Sequence, residues 1–187
     1  DEIYEYFLYD GRTHMSFATL PGMADRTITL GGYSKTFSIT GWRIGYSVAS
    51  ARWAQAIGAM NDLLYVCAPT PLQAGVAAGI QELPDSFYRD LARDYQQKRD
   101  RFCQALAKAG LTPSIPQGAY YVLADTSRLP GTTGKARAMF LLETIGLAGV
   151  PGEAFFSGPD GAQFVRFSYA KIDSDIDDAC RRLARLG

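Results

Sequence analysis

Hydrophobic and polar positions along this chain set out a series of elements before any chemistry is considered. Thr27-Ile28-Thr29-Leu30 alternates β-branched and apolar residues and predicts a short buried strand, and Arg43 to Ala49 predicts a second. Gly31 to Trp42, between them, mixes small, hydroxyl and aromatic residues and reads as a loop at the edge of a sheet. Ser50 is placed to cap a helix running to about Tyr65, and Cys67-Ala68-Pro69-Thr70-Pro71 breaks it. Leu72 to Leu83 is Ala-rich and apolar on most sides, which suggests a buried helix. Phe87 to Ala109 is the longest clear helix, with apolar or aromatic residues at 87, 88, 91, 95, 102, 103 and 106 and Gly110 as its stop.

Beyond that helix the periods alternate. Gln117 to Asp125 reads as turn and strand, Lys135 to Ile145 as a helix, and Val150 to Phe155 as a short strand and turn. Phe164 to Ala170 alternates and reads as a strand, and Asp173 or Ser174 caps a last helix that ends near Leu186. Strands alternating with helices give residues 86–187 the pattern of a compact α+β subdomain. Residues 1–85 form the other part, and the helix at about 87–109 links the two.

Composition narrows the class. The chain has 187 residues, 47% hydrophobic and 20% charged, as in ordinary globular proteins. Nineteen basic residues balance nineteen acidic ones, which argues against a nucleic-acid partner. No apolar run approaches the roughly eighteen residues that span a bilayer, so no membrane partner is expected. Cys67, Cys103 and Cys180 are an odd, scattered set with no CxxC pair, which fits a reducing cytoplasm better than a disulfide scaffold or a zinc site. His14 is the only histidine, so no metal site or triad built on several histidines is expected.

The candidate chemistry centres on Lys35, alone among small, hydroxyl and aromatic neighbours, with Arg43 eight positions later and no charge between them. An amine among apolar neighbours loses hydration, which favours its uncharged, nucleophilic form and suits it to a Schiff base. Arg43 has the planar fork that matches phosphate oxygens, and Ser34 and Ser38 add hydroxyls. The plainer reading is a Gly-rich turn whose lysine reaches water. Asp1 and Tyr4 add a carboxylate and a phenol three positions apart. A protonated pyridine nitrogen needs such an acid partner. Arg166 interrupts an apolar strand: it either points to solvent from an edge or clamps a carboxylate.

Asp1-Glu2-Ile3-Tyr4, together with Ser34-Lys35-Thr36-Phe37-Ser38-Ile39-Thr40-Gly41-Trp42-Arg43-Ile44-Gly45-Tyr46, resembles the cofactor half of a class I/II aminotransferase of the aspartate aminotransferase superfamily, fold type I. Val150-Pro151-Gly152-Glu153-Ala154-Phe155 and Val165-Arg166-Phe167-Ser168-Tyr169-Ala170 are similar to that family's C-terminal signature. The resemblance implies an α/β fold: the C-terminal part of the large pyridoxal-phosphate domain, a mainly parallel sheet with helices, plus the small C-terminal domain. It also implies a longer protein, usually a homodimer, in which the preceding stretch completes the cofactor site.

By the same resemblance, Lys35 carries pyridoxal 5′-phosphate as an aldimine. Asp1 pairs with its ring nitrogen, Tyr4 bonds its ring oxygen, Ser34 and Arg43 hold its phosphate, and Arg166 binds the substrate's α-carboxylate. Gly118-Ala119-Tyr120-Tyr121 matches a segment near the substrate, and either Tyr120 or Tyr121 lines the pocket or packs in the core. The implied activity moves an amino group from an amino acid to a 2-oxo acid. Other chemistry on the same scaffold, a C–S β-lyase or a cofactor-binding regulatory module, shares these residues. An isolated fragment with half the cofactor shell is expected to be inactive.

Overall fold

The expected strand at Thr27–Leu30 forms two residues later, as β1 (Thr29–Gly32), in a computed structural model that describes residues 1–186. β1 pairs antiparallel with β2 (Gly45–Val48), Thr29 opposite Val48 and Gly32 opposite Gly45. This corrects the expectation of a mainly parallel sheet: among the described residues every strand pair is antiparallel. Consecutive strands joined by a loop with no crossover helix must run back against each other, and that is the connection here.

The chain divides into two units, Asp1–Ala92 and Arg93–Gly187, and the division falls inside the long helix α3 (Asp85–Lys108). In the first unit, two short 3₁₀ turns (Phe17–Thr19 and Ala24–Arg26) lie in what reads as loop. Helix α1 (Ala51–Leu64) follows Ser50, whose hydroxyl makes no capping bond, and it buries no residue. Helix α2 (Thr70–Glu82) carries Pro71 in its first turn, where a missing N–H costs nothing. It is not the buried helix expected, since only Val76 is buried. Its composition serves a different purpose. A Cβ on Gly75 would lie 2.9 Å from the Trp42 ring, and one on Gly79 would lie 3.3 Å from the Phe37 ring. The two glycines, four apart on one face, let the loop between β1 and β2 rest its aromatics on the helix.

The second unit is a four-stranded antiparallel sheet in the order β3-β4-β6-β5, with β3 (Thr112–Ser114), β4 (Tyr121–Asp125), β5 (Val150–Pro151) and β6 (Phe164–Ser168). β3 escapes sequence reading because Pro113 sits in its middle, a residue that strands accept only at edges, and β3 is an edge. Alternation on β4 and β6 turns Val122, Ala124, Val165 and Phe167 inward, all at most 2% exposed. Phe102, Cys103 and Leu106 of α3, Leu141 and Ile145 of α4 (Gly134–Ile145), and Ile176 and Leu183 of α5 (Asp173–Leu183) complete the core. Gly110 stops α3 at φ +76°, where its N–H bonds Ala107 O and the Leu111 N–H bonds Leu106 O. Ile172, rather than Asp173 or Ser174, is the residue before α5, and the helix ends at Leu183.

Candidate active site

After β1 the backbone makes one helical turn, with the Phe37 N–H donating to Tyr33 O at 3.0 Å. Ser38 ends it in the left-handed region at φ 55°. Its N–H bonds Lys35 O at 3.2 Å and the Ile39 N–H bonds Ser34 O at 3.0 Å, the paired bonds of a helix stop that usually rests on glycine. Arg43 is left-handed as well, at φ 58°, with Nη1 donating to Thr40 O at 2.8 Å. Two non-glycine residues in this conformation cost about 1–3 kcal/mol each. Aromatic rings pack around the turn. Tyr33 stacks on Phe37 and faces Tyr46 (both 5.6 Å between ring centroids), and Phe37 meets Phe87 at 6.0 Å. Burial pushes the phenols of Tyr33 and Tyr46 up, so they remain protonated.

On this turn Lys35 is half-buried, beside Thr36 at 2% exposure. Its amine has neither a hydrogen bond nor an ion pair among the described residues. Ser34 and Arg43 share a cavity of about 200 Å³ with Ile3, Ile44 and the backbones of Gly31, Gly32 and Gly45. Glycine is required at two of these positions. A Cβ on Gly31 would sit 2.4 Å from the Tyr46 ring, and one on Gly45 would sit 2.9 Å from Gly31 O. The remaining guanidinium nitrogens of Arg43 carry no hydrogen bond among the described residues. A hydroxyl, a guanidinium and bare backbone around one cavity are a phosphate-type donor set, and Lys35, the next residue after Ser34, carries the kind of amine an aldehyde requires.

The first residues of the chain are tied to this region, since the Glu2 N–H donates to Leu30 O of β1 at 2.7 Å. Asp1 is exposed and its Oδ1 accepts the Ile3 N–H at 3.1 Å. Tyr4 is half-buried, its ring edge-on to Phe7 at 5.9 Å. Between these two, the Glu2 carboxylate accepts from Ser16 Oγ at 2.7 Å and meets His14 Nε2 at 3.0 Å. The bond from His14 holds the Glu2 carboxyl below the usual glutamate range. Sequence reading missed this cluster because its members lie twelve and fourteen positions apart, with no local spacing to mark them.

Arg166 lies in the second unit, on β6 opposite Leu123 of β4 and Val150 of β5. Its guanidinium carbon lies over two rings, 4.1 Å from the centroid of Tyr121 and 4.1 Å from that of Phe155. Its Nε is buried with no acceptor, and no acid pairs with it among the described residues. Tyr121, half-buried, is therefore the tyrosine that meets Arg166, while Tyr120 is 8% exposed and packs in the core against Tyr95. Of the other lysines, Lys98 donates to Lys171 O at 2.7 Å, and Lys108, Lys135 and Lys171 are exposed. Among the described residues no group of acids, cysteines and histidine is placed to hold a metal ion, and no helix is long and apolar enough to cross a membrane.

Comparison with known proteins places this arrangement. The family model for aminotransferase class I and II matches residues 1–183. The kynurenine–oxoglutarate transaminase of Dictyostelium discoideum is 37% identical over 207 residues, covering 100% of this chain and 47% of that protein. Kynurenine–oxoglutarate transaminase 3 of Mus musculus is 35% identical, covering 96% of this chain and 43% of that protein. The solved structure of N-succinyldiaminopimelate aminotransferase from Mycobacterium tuberculosis superposes with a TM-score of 0.92 at 30% identity, over 100% of this chain and 48% of that one. The chain thus spans about half the length of the relatives it matches. Proteins of this family use pyridoxal 5′-phosphate. The α/β fold, the lysine turn and the match along nearly the whole sequence agree, and this chain belongs to the class I and II aminotransferases.

Proposed function

We propose that this chain is the lysine-bearing, C-terminal portion of a pyridoxal-phosphate-dependent aminotransferase that moves an amino group from an amino acid to a 2-oxo acid. The observation that carries the proposal is Lys35, half-buried and with a partnerless amine, directly following Ser34, which shares a cavity with Arg43. The donor set fits the cofactor. Ser34 Oγ and the open nitrogens of Arg43 would bind its phosphate, and Lys35 Nζ would hold its aldehyde carbon. Asp1 would pair with the ring nitrogen, and the Tyr4 hydroxyl would donate to the ring oxygen. When bound, the cofactor supplies an electron-accepting ring that stabilises charge at the substrate's α-carbon.

Lys35 Nζ would also serve as the general base that takes the substrate's α-proton. Arg166 grips the α-carboxylate. Its half-buried guanidinium has a buried Nε with no acceptor and no acid partner among the described residues, and a carboxylate at the remaining nitrogens would offset its charge. Residues 86–187 would form the small C-terminal domain, and a homodimer fits the apolar side chains exposed on α1, among them Met60, Leu63 and Leu64. Three unpaired thiols fit a cytoplasmic location.

The test is an assay of the complete enzyme with amino acids and 2-oxoglutarate, following glutamate alongside pyruvate and ammonia. Glutamate formation that Lys35→Ala abolishes supports the proposal. Pyruvate and ammonia without glutamate would make the protein a lyase, and undiminished transamination by Lys35→Ala would remove the lysine from the mechanism.

A further inference from the structure

Arginines that bind carboxylates are commonly aimed by an acid of their own protein, which satisfies part of the guanidinium and orients the rest. Arg166 has no such acid among the described residues. What orients it is aromatic. The Tyr121 ring covers one approach at 4.1 Å and the Phe155 ring covers another at the same distance. Both distances lie well inside the roughly 6 Å range of a cation–π contact. Both rings are themselves fixed. Leu123 stands directly opposite Arg166, so Tyr121, two residues before it on β4, is the diagonal neighbour on the same face of the sheet. The turn entering β4 is tied by Tyr169, whose hydroxyl donates to Ala119 O at 3.0 Å and whose N–H donates to Tyr120 O at 3.1 Å.

Phe155 follows a 3₁₀ turn (Gly152–Ala154) that is tied at both ends. The Phe155 N–H donates to Gly152 O at 2.8 Å, and the Glu153 carboxylate accepts the Gly134 N–H at 2.6 Å at the start of α4. A Cβ on Gly152 would lie 2.3 Å from Gly161 O, so this turn admits no side chain there. With Nε buried, the hydrogen-bonding capacity of Arg166 is left to Nη1 and Nη2, which carry no bond among the described residues.

We propose that Tyr121 and Phe155 are positioning residues: they grip Arg166 through its π contacts in place of a protein carboxylate, and so leave its terminal nitrogens wholly to a ligand carboxylate. The inference rests on the assignment of Arg166 as the carboxylate ligand and adds what aims it. Aromatic contacts fix the guanidinium without neutralising it, so the full charge stays available to the substrate. An acid in their place would compete for the same two donors. The rings therefore act on ligand affinity, and they act together, because each confines the motion the other leaves.

The experiment is a titration of the holoenzyme with propionate, a carboxylate that carries no amine and cannot react with the cofactor. Binding is followed by the NMR resonance of the Arg166 Nε–H, assigned through its loss in Arg166→Lys. Wild type is expected to show a saturable shift. Tyr121→Leu and Phe155→Leu keep apolar cover without the π face, and each should weaken propionate about three- to tenfold. In substrate kinetics each should raise KM by a similar factor with kcat within twofold. Unchanged amide spectra for β4 and β6 separate this from unfolding. Equal propionate affinity in wild type and both variants would overturn the role of the rings while leaving Arg166 as the ligand. No shift at Arg166 in wild type, with Lys35 still loaded by cofactor, would remove the carboxylate site itself and the inference with it.

Discussion

The two units of this chain keep their hydrophobic residues in opposite ways. In the second unit, Phe102, Leu106, Leu111, Val122, Val165, Phe167, Tyr169, Ile176 and Leu183 are all at most 2% exposed and close one core. In the first, α1 buries nothing and α2 buries Val76 alone, while Trp53, Met60, Leu63, Leu64 and Val66 are exposed. Order in the first unit is concentrated instead around the lysine turn, where Tyr33, Phe37, Tyr46 and Phe87 interlock. The two left-handed residues, Ser38 and Arg43, lie on the loop that carries Tyr33 and Phe37 of this cluster. The arginine of the second unit draws on the same device, with aromatic rings in place of an acid partner.

The largest expected effect separates the two units directly. Phe167→Ala should cost about 3–5 kcal/mol, because it removes a buried ring that meets Phe102 edge-on. Met15→Ala, 70% exposed in the first unit, should stay within about 0.5 kcal/mol. Urea unfolding of both variants checks this, and equal losses would erase the distinction. Next comes Gly31→Ala, which forces the Tyr46 ring aside and should cost about 1–3 kcal/mol. Gly41→Ala on the same loop meets nothing within 4 Å and serves as its control.

Glu2 gives a smaller, pH-dependent effect. Its carboxyl is depressed in the folded protein below the ordinary value of 4.5, chiefly by the bond from His14. Its contribution is therefore complete above that value and is lost as pH falls through the lower, folded one. Glu2→Gln should lower stability by about 1 kcal/mol at pH 7 and flatten this part of the acid limb, measured by thermal melts between pH 3 and pH 7. An acid limb identical to that of wild type would exclude the tie. The smallest effect concerns thiol reactivity. Burial pushes Cys103 up to about 11, so at pH 8 iodoacetamide should modify exposed Cys67 well before Cys103.

Much of this was legible from the residues. The long helix with Gly110 at its end, the alternating strands of the second unit and the helices expected near 51–65 and 135–145 follow from residue pattern and stop signals. Asp1, Tyr4, Ser34, Lys35, Arg43 and Arg166 stood out through residue type and motif; of these, Ser34 and Arg43 line one cavity. The failures have physical causes. Ala-rich composition on α2 looked like burial but provides contact room for Trp42 and Phe37. A proline concealed β3, because an edge strand spares a residue that a central one would exclude. The Glu2–His14–Ser16 cluster and the Tyr121–Phe155 bracket join residues distant in sequence, and one-dimensional spacing carries no trace of them.

The central claim is that one amine of five captures the cofactor, and one experiment addresses it. The protein is incubated with pyridoxal 5′-phosphate, reduced with borohydride, digested and mapped. The account predicts the phosphopyridoxyl group on Lys35 at near-stoichiometric yield, with Lys98, Lys108, Lys135 and Lys171 essentially unmodified. Label spread over the exposed lysines, with Lys35 no richer than the rest, would contradict it.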